Sequence, residues 1–501
     1  MYRQGSEIKL LSENLRSRGL NSMHPSSRQL KNLVSLGLSI LLLGGQCWLT
    51  AAAQSAFDDS ATISSERSNY ESQLADLESQ FGPYHRSLLE PLQSLVAIEQ
   101  EQGNYARVAE LQSRQLQVVR TVLGFRHPDL LPLVDEIITN EIRLGNWEGV
   151  SEQLDHKRYL VTGDTEDLTK QLLNVVEQQA FWHLERVQLD AREHRASNFM
   201  QARDYYSELV DMAEDEYGED TLEMVPWLYK FAMSEYRLVE LLNADDGVSA
   251  DTIERLVHKE GVSRLQSASR GRVQFNAWAG NNYIPVVDGD ALIGEAYLRD
   301  SLNSVRDIGE IFEAAEDLEA QAMAEIYEAD FLRIMGRGSA LQKYRDAREK
   351  LLETGIAAEK IELFFNQPAI IPVPQLFIRL DDAIAYQEHG RAGIDTYSSD
   401  QVHLGQLVAW QEGLPHVPEP TAVADVLKVE LEHSHVDATL SISSSGAISS
   451  VEVVTALPDD RAVRNEAVRA IREIRVRPAI FEGKAKRMRD VHIRYLALPE
   501  E

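Results

Sequence analysis

Gly103-Asn104-Tyr105 and Leu123-Gly124-Phe125-Arg126-His127-Pro128 decide how this chain is read, because their residues return at a fixed distance. Gly82 recurs as Gly124, His85 as His127, Gly103 as Gly145, Asn104 as Asn146 and Tyr105 as Trp147, every pair 42 residues apart. A fixed period of roughly 20–50 residues marks units that cannot bury their apolar faces alone and do so by stacking. A third copy has slipped. Asn198-Phe199 leads to Gly218 after 20 residues, as Asn104 leads to Gly124, but Asn146 to Asn198 is 52 residues. About ten extra residues therefore lie between the copies, and Thr162-Gly163-Asp164-Thr165 marks part of them.

Each unit reads as two helices. Leu88, Leu92, Leu95 and Val96 keep helical spacing up to the turn Gly103-Asn104-Tyr105. Val108, Leu111, Gln115 and Val118-Val119 then continue a second apolar face. Glycine supplies the positive φ that such a turn needs, and asparagine follows it without strain. Tyr105, Trp147 and Phe199 are expected to plug the space between paired helices, and His85 and His127 to be structural because they recur with the repeat.

These motifs resemble the tetratricopeptide repeat in its longer, kinesin-light-chain style, with Leu-Gly-x-x-His-Pro before one helix and Gly-Asn-Tyr before the next. The resemblance implies a mainly α fold over 62–360, an α-solenoid whose curved surface holds a peptide or protein. Gly103, Tyr105, Gly124, His127, Gly145 and Trp147 are its packing residues. A late copy spans about 320–353, where Ala340, Tyr344 and Ala347 carry small–aromatic–small spacing. Residues 241–314 are helix-rich but off register, and Gly271 to Asp290 reads as a long loop.

The period changes towards the C-terminus. Pro368, Pro372 and Pro374 break up an apolar run that reads as extended chain, and 361–424 reads as an extended linker region. Val436, Ala438, Leu440 and Ile442 alternate as a strand. Ser443 to Gly446 turns, and Ile448, Val451, Val453 and Thr455 form a second strand with a parity slip that predicts a bulge. Asp459-Asp460 opens a helix striped by Val463, Ala467, Ala470-Ile471 and Ile474, and Val491, Ile493, Tyr495 and Ala497 close as a strand.

The order strand, strand, helix, strand over 425–501, with Arg475-Val476-Arg477-Pro478-Ala479 and Glu482-Gly483-Lys484, resembles the C-terminal domain of TonB, a small α+β domain. Val476 stands where that family has an aromatic residue, and a helical repeat replaces its long Pro-rich spacer. The resemblance implies that the closing strand offers an edge to a partner segment by strand addition. Val491, His492, Ile493, Arg494 and Tyr495 would then bind the partner. The competing reading is that this strand is covered, or paired in a homodimer through the C-terminal domain.

The chain has 501 residues, with Lys+Arg 50 against Asp+Glu 80, a formal charge of -30. So acidic a chain repels nucleic acid, so no nucleic-acid partner is expected. Within Arg469 to Arg494 nine basic residues stand against three acidic, and this patch could dock on the acidic repeats or face an anionic polymer. The single cysteine, Cys47, excludes a disulfide framework and a cysteine-based metal cluster. Arg28 and Lys31, the apolar run Leu33 to Leu43, and Ala51-Ala52-Ala53 have the three parts of a secretory signal. An uncleaved anchor over Leu33 to Ala53 is the alternative. No Gly-x-Ser-x-Gly elbow, phosphate-binding loop or His-Glu-x-x-His occurs, and His433 and His435 lack a spaced third ligand. The expectation is a periplasmic, non-catalytic adaptor without cofactor or metal. It would have protein or peptide partners in the cell envelope. The alternative is a TonB-like energy transducer for receptor-mediated transport at the outer membrane.

Overall fold

The computed structural model describes residues 46–162, 166–190, 192–243, 289–389, 401–411, 414–415 and 434–497. Of the expected signal or anchor ending at Ala53, the part before residue 46 lies outside them and the rest is helical. Residues 244–288, and so most of the expected loop, also lie outside them, and Gly289 and Asp290 begin a helix. Among the described residues no helix is long and apolar enough to cross a membrane. The chain divides into two compact units, one of residues 6–168, the other of 1–5 and 169–501.

In the first unit the helices are α1 (Gln46–Phe81), α2 (Leu89–Glu101), α3 (Tyr105–Leu123), α4 (Leu130–Leu144) and α5 (Trp147–Val161). Both turns within a pair are built alike. Gly103 and Gly145 hold φ of 71° and 66°. The next residue's N–H reaches back five residues, Asn104 to the Glu99 carbonyl and Asn146 to the Glu141 carbonyl, each at 2.9 Å. Carbonyls at the helix end, which would otherwise lack partners, are thereby satisfied. The asparagine side chains clamp the same acids: Asn104 Nδ2 donates to Glu99 at 2.7 Å and Asn146 Nδ2 to Glu141 at 2.6 Å.

The recurring histidines are caps. Nδ1 of His85 accepts from the Ser87 N–H at 3.3 Å, and Nδ1 of His127 accepts from the Asp129 N–H at 3.2 Å. Each caps the turn before α2 or α4. Alternate helices touch through residues 36 apart, Arg114 with Glu78 between α3 and α1, and Arg120 with His156 between α3 and α5.

In the second unit α6 (Glu166–Leu189) and α7 (Arg192–Tyr217) are 24 and 26 residues long, so the displaced third copy is accommodated by lengthened helices. α8 (Val225–Asn243) packs along α9 (Gly289–Ala314), which packs on α10 (Leu318–Ile334). α10 is buried almost all round, from Ala320 to Leu332, and the charged residues Glu328 and Asp330 are among those buried. α11 (Ala340–Glu353) buries Ala340, Tyr344 and Ala347, as their spacing implies.

Of residues 361–424, 390–400, 412–413 and 416–424 lie outside the described residues, and the described ones are not an extended linker. They contain the end of α12 (Ala358–Phe365), then β1 (Ala369–Ile371), α13 (Leu380–His389), β2 (His403–Gln411) and β3 (Leu414–Pro415). The apolar residues of 369–380 supply the reason: Ile371, Val373 and Leu380 are buried and so join the core. Next come β4 (Ser434–Ile442), β5 (Ile448–Leu457), α14 (Arg461–Glu473), β6 (Arg475–Arg477), β7 (Ile480–Phe481), β8 (Lys484–Ala485) and β9 (Met488–Ala497). The main sheet runs β3-β2-β9-β4-β5, while β1 pairs with β6 and β7 with β8.

The side chain of Asp460 caps α14 by accepting from the Ala462 N–H at 2.5 Å. Val463, Ala467 and Ile471 of α14 pack on Val436, Leu440 and Ile493 of the sheet. The expected bulge between Ile448 and Val451 is present as the register break opposite Ser441 and Ile442, and a second break, not expected, falls opposite Asp437 and Ala438. In the β4–β5 turn Gly446 has φ 78°, and a Cβ there would stand 2.1 Å from the Val476 carbonyl oxygen.

Candidate functional site

The closing strand offers no edge. Val491, His492, Ile493, Arg494 and Tyr495 lie on β9, which is paired on both sides. β4 runs antiparallel to it with Ala438 opposite Ile493, and β2 runs parallel to it with Leu407 opposite Tyr495. The His492 N–H donates to the Val402 carbonyl at 2.8 Å. The docking role expected for these five residues is therefore corrected: β9's ladder groups are used inside the chain, because 403–411 returns as a strand and takes the edge. Val491, Ile493 and Tyr495 face α14 as expected, and Tyr495 Oη donates to Glu466 at 2.8 Å.

Arg494 points to the other face and is buried against Asp437, with bonds of 2.7 and 3.0 Å. Burial pushes the Asp437 carboxyl up, but the Arg494 guanidinium and the Thr455 hydroxyl outweigh it and hold it below the usual carboxylate range. Two of the nine cations of the expected basic patch, Arg477 and Arg494, are thus internal.

Among the described residues β5 is an edge strand that pairs only with β4. It is ten residues long. Val454 and Leu457 on it are 56% and 61% exposed.

The strand module is fixed to the helices by a buried ion pair. Arg477 Nε donates to Asp330 Oδ1 at 2.9 Å and Nη2 to Oδ2 at 2.5 Å, and Tyr344 Oη donates to Oδ1 at 2.6 Å. Asp330 and Arg477 are 1% and 2% exposed. The guanidinium also lies 5.1 Å from the Phe364 ring centroid. Burial alone would lower the Arg477 pKa, but the paired Asp330 raises it further, while burial pushes the Tyr344 phenol up. Arg345 Nε adds a bond to the Gly483 carbonyl at 2.6 Å.

Between helices and strands runs the extended segment 368–379. Tyr229 of α8 donates to the Val373 carbonyl. Tyr327 of α10 donates to the Gln375 carbonyl at 3.1 Å and accepts from the Phe377 N–H at 2.8 Å. Arg379 pairs with Asp317 at 2.6 and 2.8 Å. On its other side Ile370 pairs with Val476.

A second buried polar cluster joins α7, α8 and α9. Arg203 stands 3.4 Å from Glu235 and 3.5 Å from Asp300, with its guanidinium 4.8 Å from the Tyr297 ring centroid. Two acids share one cation out of water. Burial is the main cause that raises Glu235 to about 8, with Asp300 adding to it and Arg203 opposing it.

The residues expected to pack the repeats divide. Gly103, Gly124 and Gly145 all hold positive φ, and His127 caps. Phe199 is fully buried, but Tyr105 and Trp147 are only half-buried, so the expectation of a buried plug is corrected there. Both aromatics stand at the first position of a helix, where one side faces solvent. Arg143 lies over the Tyr105 ring, 5.3 Å from its centroid. Among the described residues no group of acids, histidines or cysteines is arranged to hold a metal ion. Asp330 and Arg477 escaped the reading of the sequence. The one local signal is an aspartate inside the apolar stretch Ala329 to Leu332.

No protein-family model and no curated protein matches the chain. Among solved structures, the crystal structure of BtubC (BKLC) from P. vanneervenii is similar, at 14% identity over 59% of this chain and 91% of that one, with a TM-score of 0.22. A score that low carries no argument about what this chain does. What stands is a mainly helical, repeat-like chain with a small strand-containing C-terminal region.

Proposed function

We propose that the chain is a non-catalytic protein–protein adaptor of the cell envelope, with tetratricopeptide-type helix pairs fused to a TonB C-terminal-like strand module. One observation carries the reading: among the described residues a ten-residue strand edge, β5, is left unpaired on a module that Arg477 and Asp330 clamp to the helices. Open backbone N–H and C=O groups on a long edge are a template for another chain. The repeat assignment is supported by the shared turn, cap and clamp geometry of the two copies. The TonB-like assignment is supported by the order β4, β5, α14, β9. Export rests on the signal-like residues Arg28 to Ala53. The clamp and the covered β9 weigh against a transducer, which needs a module free to extend.

The test is a photo-crosslinking residue placed at Val454 or at His492 of the full chain in cells that export it. Val454 should yield one discrete adduct with a partner protein, and His492 should yield none. Absence of any adduct from β5, with the chain folded, would remove the strand edge from the proposal.

A further inference from the structure

Arg333 is a half-buried guanidinium without an anion. It lies in the last turn of α10, and its Nε is shut off from solvent with no hydrogen-bond partner. Among the described residues no carboxylate comes within 4 Å of it. Asp330, three residues earlier on the same helix, is already taken by Arg477 and Tyr344. We propose that Arg333, with Arg475 and the turn Ser443–Gly446, binds the dianion of inorganic phosphate or of a phosphate monoester. The site goes beyond the adaptor reading and does not depend on it.

Three observations support it. First, the charged neighbour of Arg333 has its own sign. Burial lowers the Arg333 pKa; the Tyr344 phenol opposes this, and Arg475 of β6 adds to it. A cation in the last turn of a helix is favoured by the helix dipole. Yet the Arg333 side chain donates to no carbonyl among the described residues. A guanidinium partly out of water beside a second one is costly unless an anion completes the group.

Second, the β4–β5 turn sits directly on this cation. A Cβ at Gly446 would stand 3.0 Å from Arg333 Nε. The turn closes through the Ser443 N–H to the Ala447 carbonyl and the Gly446 N–H to the Ser443 carbonyl, each at 2.9 Å. Ser443 Oγ accepts from the Ala447 N–H at 3.0 Å. The N–H groups of Ser444 and Ser445 are not used in these bonds, and both residues are exposed, so they are open to an oxyanion beside Arg333.

Third, the charge count fits a dianion. Arg475 is exposed, and its Nη1 donates to the Glu473 carbonyl at 2.8 Å. The acids that act around it are Glu240 of α8 and Glu473 of α14. Neither carboxylate comes within 4 Å of Arg475, and burial raises Glu240 to about 7, which limits its charge near neutrality. Two guanidiniums without a paired acid match a phosphate monoester, which carries about -1.5 to -2 charges. Its oxygens also accept from several directions, as donors on α10, β6 and the turn require.

The test is calorimetric titration of the full chain with inorganic phosphate, glycerol 3-phosphate and dimethyl phosphate, beside sedimentation with phosphatidic acid vesicles. The dianions should bind at least tenfold more tightly than dimethyl phosphate, which carries one charge, and more weakly as salt rises. Binding of soluble phosphates alone would assign the site to a free phosphate, and binding of vesicles alone to a lipid headgroup. In either case Arg333→Met and Arg475→Gln should each weaken binding about tenfold or more, and Arg461→Gln, on the exposed start of α14, should not. Without phosphate, Arg333→Met should leave melting unchanged or raise it, because it removes a charge that has no partner. No binding of any phosphate or vesicle, equal binding of dimethyl phosphate, binding retained by Arg333→Met, or a lowered melting temperature in that variant would each overturn the proposal. A partner adduct at Val454 together with any of these results would leave the adaptor reading standing.

Discussion

Replacing Asp330 with alanine should loosen the whole strand module. Asp330 is 1% exposed and accepts three bonds, two from Arg477 and one from Tyr344. Without it a guanidinium is left in a site that, among the described residues, holds no other carboxylate within 4 Å. Breaking a buried pair by removing one partner costs about 3–5 kcal/mol, because the remaining charge stays buried and uncompensated. Removing both charges should cost much less: the double variant Asp330→Ala/Arg477→Met leaves no orphan charge, and its methionine fills much of the guanidinium's volume. Tyr344→Phe removes one bond to a charged acceptor and should cost about 1.5–3 kcal/mol. The assay is hydrogen exchange of the full chain, read at β1 and β6, which pair beside the clamp, with urea unfolding alongside. Asp330→Ala should release both strands together. A loss below ~1 kcal/mol, or a double variant worse than the sum of the singles, would refute the clamp as the attachment.

Three further outcomes follow from the same coordinates. Gly446→Ala should destabilise the module severely, as seen in thermal melting, since its Cβ would meet the Val476 carbonyl oxygen at 2.1 Å in a backbone with φ 78°; Gly103→Ala, with nothing within 4 Å, should cost only about 1 kcal/mol. Phe199→Ala should cost about 3–5 kcal/mol as a fully buried aromatic, and Trp147→Ala, half-buried, clearly less; equal losses in urea unfolding would show that exposure at Trp147 is misjudged. Stability should fall as pH rises from 4.5 to about 8, because the folded chain keeps a proton on Glu235 that the unfolded chain has lost; Glu240, raised by burial to about 7, adds in the same direction, and Glu235→Gln should flatten most of the slope.

The helices were legible because the signal is local. Glycine at a fixed offset sets the turn, and histidine at a fixed offset caps the next helix. Glu99 and Glu141 were equally legible in principle, being 42 residues apart, yet glutamates carry little information in a chain this acidic. The clamp was not legible. Its partners are 147 residues apart, and Arg477 sits among arginines that face solvent. Nor was β2. Gly405 holds φ 90° and interrupts the alternation, and the strand is fixed by parallel pairing with residues about ninety positions later. Trp147 misled for a simpler reason: recurrence of an aromatic marks its place in the repeat but not how deeply it is buried.

Covering β9 does not remove the sheet's edge; it moves it. One end of the sheet is β3, only two residues long, which is the short edge strand by which proteins limit unwanted pairing. The other end is β5, ten residues with no proline, lysine or arginine and one charge, Glu452. Its register breaks against β4 give some twist, but Val454 and Leu457 on it are exposed. Such an edge is an aggregation hazard unless something pairs with it. The module's attachment fixes which edge is offered, because β6 is held by Asp330 through Arg477 and by β1, and the β4–β5 turn lies under β6 at Gly446. A segment pairing with β5 would therefore be held at a set position relative to α10 and α11. Under the proposed adaptor role, the fixed attachment would serve to align two partners rather than to reach between them.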